Sequence, residues 1–198
     1  MKIISFEGVE GVGKSTQITM LDSYLVSKGL STEVLREPGS TAVGENIREI
    51  LLNPSNNLSN ESELLLMFAA RAQLISEKIS YSDKDVVLFD RFYDASLAYQ
   101  GFGRGLSQKI INSLITFTKC PIPDITFLLD IEVEEGFNRK FNDKKDRIES
   151  SGKDFFEKVR SGYLALSQNE PNRIKVLDAK KSIDDLHKDI ASFVDIIL

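Results

Sequence analysis

The sequence predicts an α/β fold: a five-stranded parallel sheet flanked by helices. Three observations carry that prediction. Apolar β-type runs alternate with helix-period runs along all 198 residues. The strand candidates are short and uninterruptedly apolar, as strands buried on both faces are. Finally, a glycine-rich loop closing on Lys-Ser stands between the first strand and the first helix.

Taken in order, the first strand, Lys2–Phe6, is the run Ile3-Ile4-Ser5-Phe6. The loop Gly8-Val9-Glu10-Gly11-Val12-Gly13-Lys14-Ser15 matches G-x-x-x-x-G-K-[ST] at every fixed position, which makes the architecture a three-layer P-loop NTPase fold. The helix Lys14–Lys28 repeats Ile18, Leu21 and Leu25 and is closed by Gly29. Strand Glu33–Arg36 follows, then helix Val43–Leu52, stopped before Pro54. The Asn/Ser-rich stretch Asn53–Asn60 reads as a surface loop. Helix Glu63–Ile79, strand Val86–Phe89, helix Gln108–Thr118, strand Ile125–Leu129 and helix Val133–Phe141 come next. Helix Asp154–Asn169, strand Ile174–Leu177 and helix Ile183–Ile197, with Ser182 and Asp185 as its N-terminal signal, complete the alternation. No repeat, linker or low-complexity tract interrupts it, so residues 1–198 are expected to form one domain.

A formal charge of −5 gives a surface that does not attract nucleic acid, so any polyanion must be held by a local cluster of Arg and Lys. The single cysteine, Cys120, excludes an internal disulfide and a multi-cysteine zinc site. The only histidine, His187, reads as a surface residue of the last helix. No apolar stretch approaches membrane-span length and no signal peptide opens the chain, which predicts a cytoplasmic protein.

The glycine loop implies a bound nucleoside triphosphate. Glycines let backbone N–H groups turn onto phosphate oxygens where a side chain would block the approach. Residues 8–16, Gly8 to Thr16, would form the cradle. Within it Lys14 would reach the β- and γ-phosphates, and the Ser15 hydroxyl would hold Mg²⁺. In sheets of this kind ligands bind beyond the carboxyl ends of the strands. Polar residues crowd there: Arg36-Glu37-Pro38-Gly39 after strand two, Asp90-Arg91 after strand three, Asp130 after strand four.

Asp90 is placed to organise the metal shell or orient Lys14, or alternatively to cap the next helix. Arg36, Arg48 and Arg91 would put planar forks on one edge, suited to gripping a phosphate. Arg71, in an apolar helix, needs a partner if buried, either an internal carboxylate or a bound base. Arg139 to Arg147 carries five cations among nine residues. It reads either as a solvated helix end or as a mobile lid, about 139–149, that closes over ATP.

Taken together, these blocks resemble the thymidylate kinase (dTMP kinase) family along nearly the whole chain. The resemblance rests on Glu10 in the phosphate loop, Arg36-Glu37-Pro38-Gly39, and Arg71-Ala72-Gln73. Above all it rests on Asp90-Arg91…Ser96-Leu97-Ala98-Tyr99-Gln100-Gly101, and it closes with Asp146-Arg147-Ile148-Glu149. It implies transfer of the γ-phosphoryl of ATP to the 5′-phosphate of dTMP, giving dTDP and ADP, in the supply of dTTP. It also implies that the enzyme is a homodimer. Arg36, Arg48 and Arg91 would hold the acceptor phosphate, and Glu10 would lie near the sugar 3′-hydroxyl and the metal. Arg71, Ser96 and Gln100 would address the thymine edge, Tyr99 would crowd a ribose 2′-hydroxyl, and Phe68 would stack on the base.

Three departures stand out. Ser40 occupies a usual glycine position, Ala95 replaces a frequent serine, and Phe68 lies three rather than four residues before Arg71, with Met67 at the commoner spacing. One branch of the family carries an arginine directly after the loop acid; Gly11 stands there in this chain. The lid would then supply the catalytic cation, with Arg147, Lys145 or Lys144 as candidates. A deoxynucleoside kinase using Glu37 as base, another nucleoside-monophosphate kinase on the same scaffold, and a non-catalytic nucleotide switch are the alternatives.

Overall fold

A computed structural model describes residues 1–139 and 145–198. In order, these form β1 (Lys2–Glu7), α1 (Lys14–Ser27), β2 (Thr32–Arg36), α2 (Ala42–Leu52), α3 (Asn60–Leu74), β3 (Val86–Asp90) and α4 (Tyr93–Ser96). α5 (Gln108–Phe117), β4 (Ile125–Asp130), α6 (Val133–Arg139), α7 (Lys153–Asn169), β5 (Ile174–Asp178) and α8 (Ile183–Ile197) follow.

The strands form one parallel sheet in the order β2-β3-β1-β4-β5. Successive residues of a strand point to opposite faces, and both faces here are apolar. Ile3, Leu35, Val87 and Phe89 pack with Leu64, Phe68, Leu74 and Ile111. Ile4, Phe6, Leu88 and Phe127 pack instead with Leu21, Leu25, Phe156 and Ile190. Helices therefore cover both sides, giving the expected three layers. Only the edge strands expose large apolar side chains, with Val34 47% and Val176 46% exposed.

Register fixes the site. Asp90 of β3 lies opposite Phe6 on one side and Arg36 on the other. The phosphate loop and the polar segments after β2 and β3 therefore leave the sheet at one edge.

The helices depart from expectation where side chains override local pattern. α3 starts at Asn60 because the Ser59 Oγ accepts from Ser62 N at 3.1 Å. Past Leu74 it widens into a π turn, Ile75–Ile79. α4 and its π continuation, Leu97–Gly103, were not expected as helix at all. Residues 97–101 are buried, so the segment shows no polar stripe to betray its period. Its glycines serve packing; a Cβ on Gly103 would stand 2.6 Å from the Phe155 ring of α7. α6 is described as far as Arg139, and Phe141, expected within it, lies outside the described residues.

Candidate active site

α1 begins at Lys14 with no side-chain cap and no acid in its first turn. Its N-terminal dipole therefore faces the loop uncompensated, the arrangement that favours a phosphate. Lys14 is buried, with Nζ donating to the carbonyls of Gly8 (3.2 Å) and Val9 (3.0 Å). Burial, reinforced by Arg91, lowers its pKa to about 8. Ser15 Oγ faces Asp90 Oδ2 at 3.3 Å. A hydroxyl beside a carboxylate suits a hard, oxygen-seeking cation such as Mg²⁺. Among the described residues no group of three or more Asp, Glu, His or Cys side chains is arranged to hold a metal ion. Such a cation would therefore take its remaining ligands from phosphate and water.

Gly11 is a position where only glycine fits. Its φ is +73°, and a Cβ there would stand 2.0 Å from the carbonyl oxygen of Gly136 in α6. Gly136 reciprocates, since its Cβ would meet Glu10 O at 2.4 Å. Backbone packs on backbone, which excludes an arginine at position 11.

Arg91 sits in the left-handed region at φ +65°, a conformation that costs a non-glycine residue roughly 1 kcal/mol or more and persists only when held. Three partners hold the side chain. Nη1 donates to Gly8 O at 2.7 Å and to Tyr163 Oη at 3.4 Å, and Nη2 pairs with Glu10. The backbone is held next door, where Phe92 N donates to Glu7 Oε1 at 2.7 Å. Tyr163 Oη donates to the other oxygen of Glu7 at 2.6 Å. Burial, with Asp94 adding to it, pushes Glu7 up to about 7.

A cleft of about 460 Å³ opens between the loop and the segments after β2 and β3, large enough for a nucleotide. Residues from Glu10 to Thr16 line it, as do Arg36, Arg48, Arg71, Asp90, Arg91, Ser96, Tyr99 and Gln100. The partner that buried Arg71 required is Glu37: Arg71 Nε donates to its Oε2 at 2.6 Å, and Nη1 reaches Ser96 Oγ at 3.0 Å. One buried oxygen on the cleft wall, Glu37 Oε1, has no hydrogen-bond partner among the described residues. Orphaned polar atoms of this kind are costly unless a ligand or water satisfies them.

The thymidylate kinase family model matches residues 6–190. The chain belongs to the thymidylate kinase family. It is 42% identical over 204 residues to the thymidylate kinase of Prosthecochloris aestuarii, covering 96% of this chain and 92% of that protein. It is 43% identical over 198 residues to that of a Thermoanaerobacter species, covering 98% and 97%. The crystal structure of thymidylate kinase from Ehrlichia chaffeensis superposes with a TM-score of 0.80 at 29% identity, covering 98% of both chains. The chain is accordingly an ATP-dependent nucleoside monophosphate kinase, and the family reaction, phosphorylation of dTMP to dTDP, is its activity.

Several residues nominated through the family resemblance stand elsewhere. Phe68 is buried 3% exposed in the core beneath Arg71, whose guanidinium lies 4.6 Å from its ring; Met67 lines the cleft instead. One residue on a helix is about 100° of rotation, which separates wall from core. Arg147 is turned from the cleft, its Nη2 on Glu63 at 2.7 Å and its Nε on Leu51 O at 2.7 Å. Lys145 lies 5.4 Å from the Phe137 ring and lines a neighbouring cavity. Lys144, with Lys140, lies outside the described residues. Gly8 and Val9 contribute carbonyls to Lys14 without lining the cleft. Ser40 reaches the turn by adopting φ +65°, with its Oγ accepting from Arg36 N at 2.8 Å. Sequence reasoning missed Glu7, Glu63 and Tyr163, whose partners are dozens of residues away.

Proposed function

We propose that Lys14 and Arg91 are the charges that carry phosphoryl transfer, with Arg36 and Arg48 holding the acceptor phosphate. The observation that supports this reading best is Arg91, a strained residue pinned to the phosphate loop at Gly8 and Glu10 and lining the cleft. A non-bridging oxygen of the dTMP 5′-phosphate attacks the γ-phosphorus. The bond to the β–γ bridging oxygen breaks, and its electron pair leaves on ADP. That nucleophile is already anionic, so no general base is needed and catalysis reduces to alignment and charge neutralisation. Glu37 is engaged by Arg71, which speaks against a nucleoside kinase using it as base. Mg²⁺, arriving with the triphosphate, would be held by Ser15 and Asp90 and would neutralise phosphate charge.

Within the expected lid segment 139–149, Arg139 is the described cation that lines the cleft, and its Nη1 donates to Ala179 O at 3.2 Å. In this reading Arg139, rather than Lys145 or Arg147, adds charge near the nucleotide. Residues 1–198 act as one domain. The enzyme works as a homodimer in the cytoplasm; exposed Val43, Ile50 and Leu65 on α2 and α3 are apolar surface that a partner would cover. No described helix is long and apolar enough to cross a membrane.

A coupled assay with dTMP, dUMP, dCMP and thymidine tests the acceptor, and the same assay on Arg139→Ala, Lys145→Ala and Arg147→Ala tests the cation. Turnover with thymidine matching that with dTMP would overturn the acceptor reading. Wild-type rates for Arg139→Ala would remove Arg139 from it.

A further inference from the structure

Glu63 is a buried acid that phosphoryl transfer does not use. It lies in the first turn of α3, 1% exposed, with both oxygens engaged. Oε1 accepts from Gln100 Nε2 at 2.9 Å and Arg104 Nε at 3.2 Å. Oε2 accepts from Arg104 Nη2 at 3.1 Å and Arg147 Nη2 at 2.7 Å. Burial pushes its pKa up, but the hydrogen bonds from Arg104, Gln100 and Arg147 outweigh it and hold the carboxyl below its ordinary value.

An ionised carboxylate can only accept hydrogen bonds. It therefore dictates which end of the Gln100 amide faces it: the NH₂ group. The amide oxygen is left for the cleft that Gln100 lines. Further along the same helix, Glu37 and Ser96 hold Arg71 in place as a donor on the same wall. The wall thus offers one acceptor and one donor of fixed identity. A pyrimidine with a ring N–H beside a 4-carbonyl presents the complementary pair. A 4-amino pyrimidine presents the inverse, a bare ring nitrogen toward the amide oxygen and an amino group toward the guanidinium.

We propose that Glu63 is a positioning residue for base selection. It fixes Gln100 as an acceptor toward the base, so that the cleft selects 4-oxo over 4-amino pyrimidine monophosphates. The inference rests on the reading that Gln100 and Arg71 meet the base.

The test measures kcat and KM for dTMP and dCMP with the wild type, Glu63→Gln and Gln100→Leu. Glutamine at 63 can donate as well as accept, so the Gln100 amide is free to turn over. The expected result is a fall of roughly ten- to a hundredfold in the dTMP/dCMP ratio of kcat/KM for Glu63→Gln, carried mainly by KM. Gln100→Leu should lower the same ratio. If Glu63→Gln slows both substrates equally and keeps the ratio, Glu63 is merely structural and the proposal fails. If Gln100→Leu also keeps the ratio, the reading of Gln100 at the base fails with it.

Should Glu63→Gln not fold, the wild type still decides. The side-chain amide protons of Gln100, identified in NMR spectra by their loss in Gln100→Leu, should be protected from exchange both free and with dTMP. Protection that arises only when dTMP binds would overturn the proposal.

Discussion

Arg36 and Arg91 carry the same sequence signature, an arginine at the carboxyl end of a strand at the same edge of the sheet, yet they stand in opposite states. Arg91 leaves a central strand. Its side chain is 15% exposed, its backbone is held left-handed, and its guanidinium is fixed by Gly8, Glu10 and Tyr163. Arg36 leaves the edge strand β2. Its side chain is 49% exposed and meets a single carboxylate, Glu45, at 3.0 Å. Position in the sheet makes the difference. β3 adjoins β1, whose following loop supplies Gly8 and Glu10, whereas the edge strand β2 lies one strand further from that loop. In the mechanism proposed above, Arg91 would be preorganised for the transition state, and Arg36 would be recruited by the incoming phosphate at the expense of a weak surface pair.

The sharpest way to break this contrast is to replace each arginine by lysine, which keeps the charge and loses the fork. Arg91→Lys should lower kcat/KM by about a hundred- to a thousandfold, mostly in kcat; a loss under tenfold would remove preorganisation as the reason. Next in size is the brace behind Arg91. Because burial raises Glu7 to about 7 in the folded state, its protonated form is favoured there. Its stabilising contribution is therefore present below about pH 4.5 and is lost as the pH rises through 7. Chemical denaturation of the wild type and Glu7→Gln at pH 5 and pH 8 should show the wild type losing about 2.5 kcal/mol more over that interval. Equal losses would mean that Glu7 is not a buried, titrating brace.

Arg36→Lys should cost roughly tenfold or less, seen in the KM for dTMP with kcat kept. A kcat loss comparable to that of Arg91→Lys would erase the distinction between the two. Smallest of all, Glu45→Gln should change dTMP KM by no more than about threefold, since it removes only an exposed partner. A large rise in KM would show that Glu45 positions Arg36 rather than merely parking it.

The phosphate loop, the strands and the polar segments after them were legible because each depends on local pattern: strand, glycines, Lys-Ser, then helix period. What escaped depends on contacts across the sequence. Glu7 follows directly on the apolar run of β1, and its partners Phe92 and Tyr163 come from just beyond the end of β3 and from α7. Glu63 looks like an ordinary acid in a helix's first turn, until Gln100, Arg104 and Arg147 converge on it. Phe68 was placed on the base by family analogy, but helix phase gives that wall to Met67. Arg147 reads in sequence as a candidate lid cation for the phosphoryl group, and only the fold turns it onto Glu63. The π-widened segment after α4 hid its helix because burial on all sides removes the polar stripe.

The central claim, that Arg91 is ordered before substrate arrives and Arg36 is ordered by it, is open to one direct measurement. NMR relaxation of the arginine Nε–H groups, in the free enzyme and with dTMP, reports the order of each side chain. Arg91 should be rigid in both states, and Arg36 mobile when free and rigid when dTMP is bound. An Arg36 as rigid as Arg91 in the free enzyme, or an Arg91 that orders only with dTMP, would contradict the account.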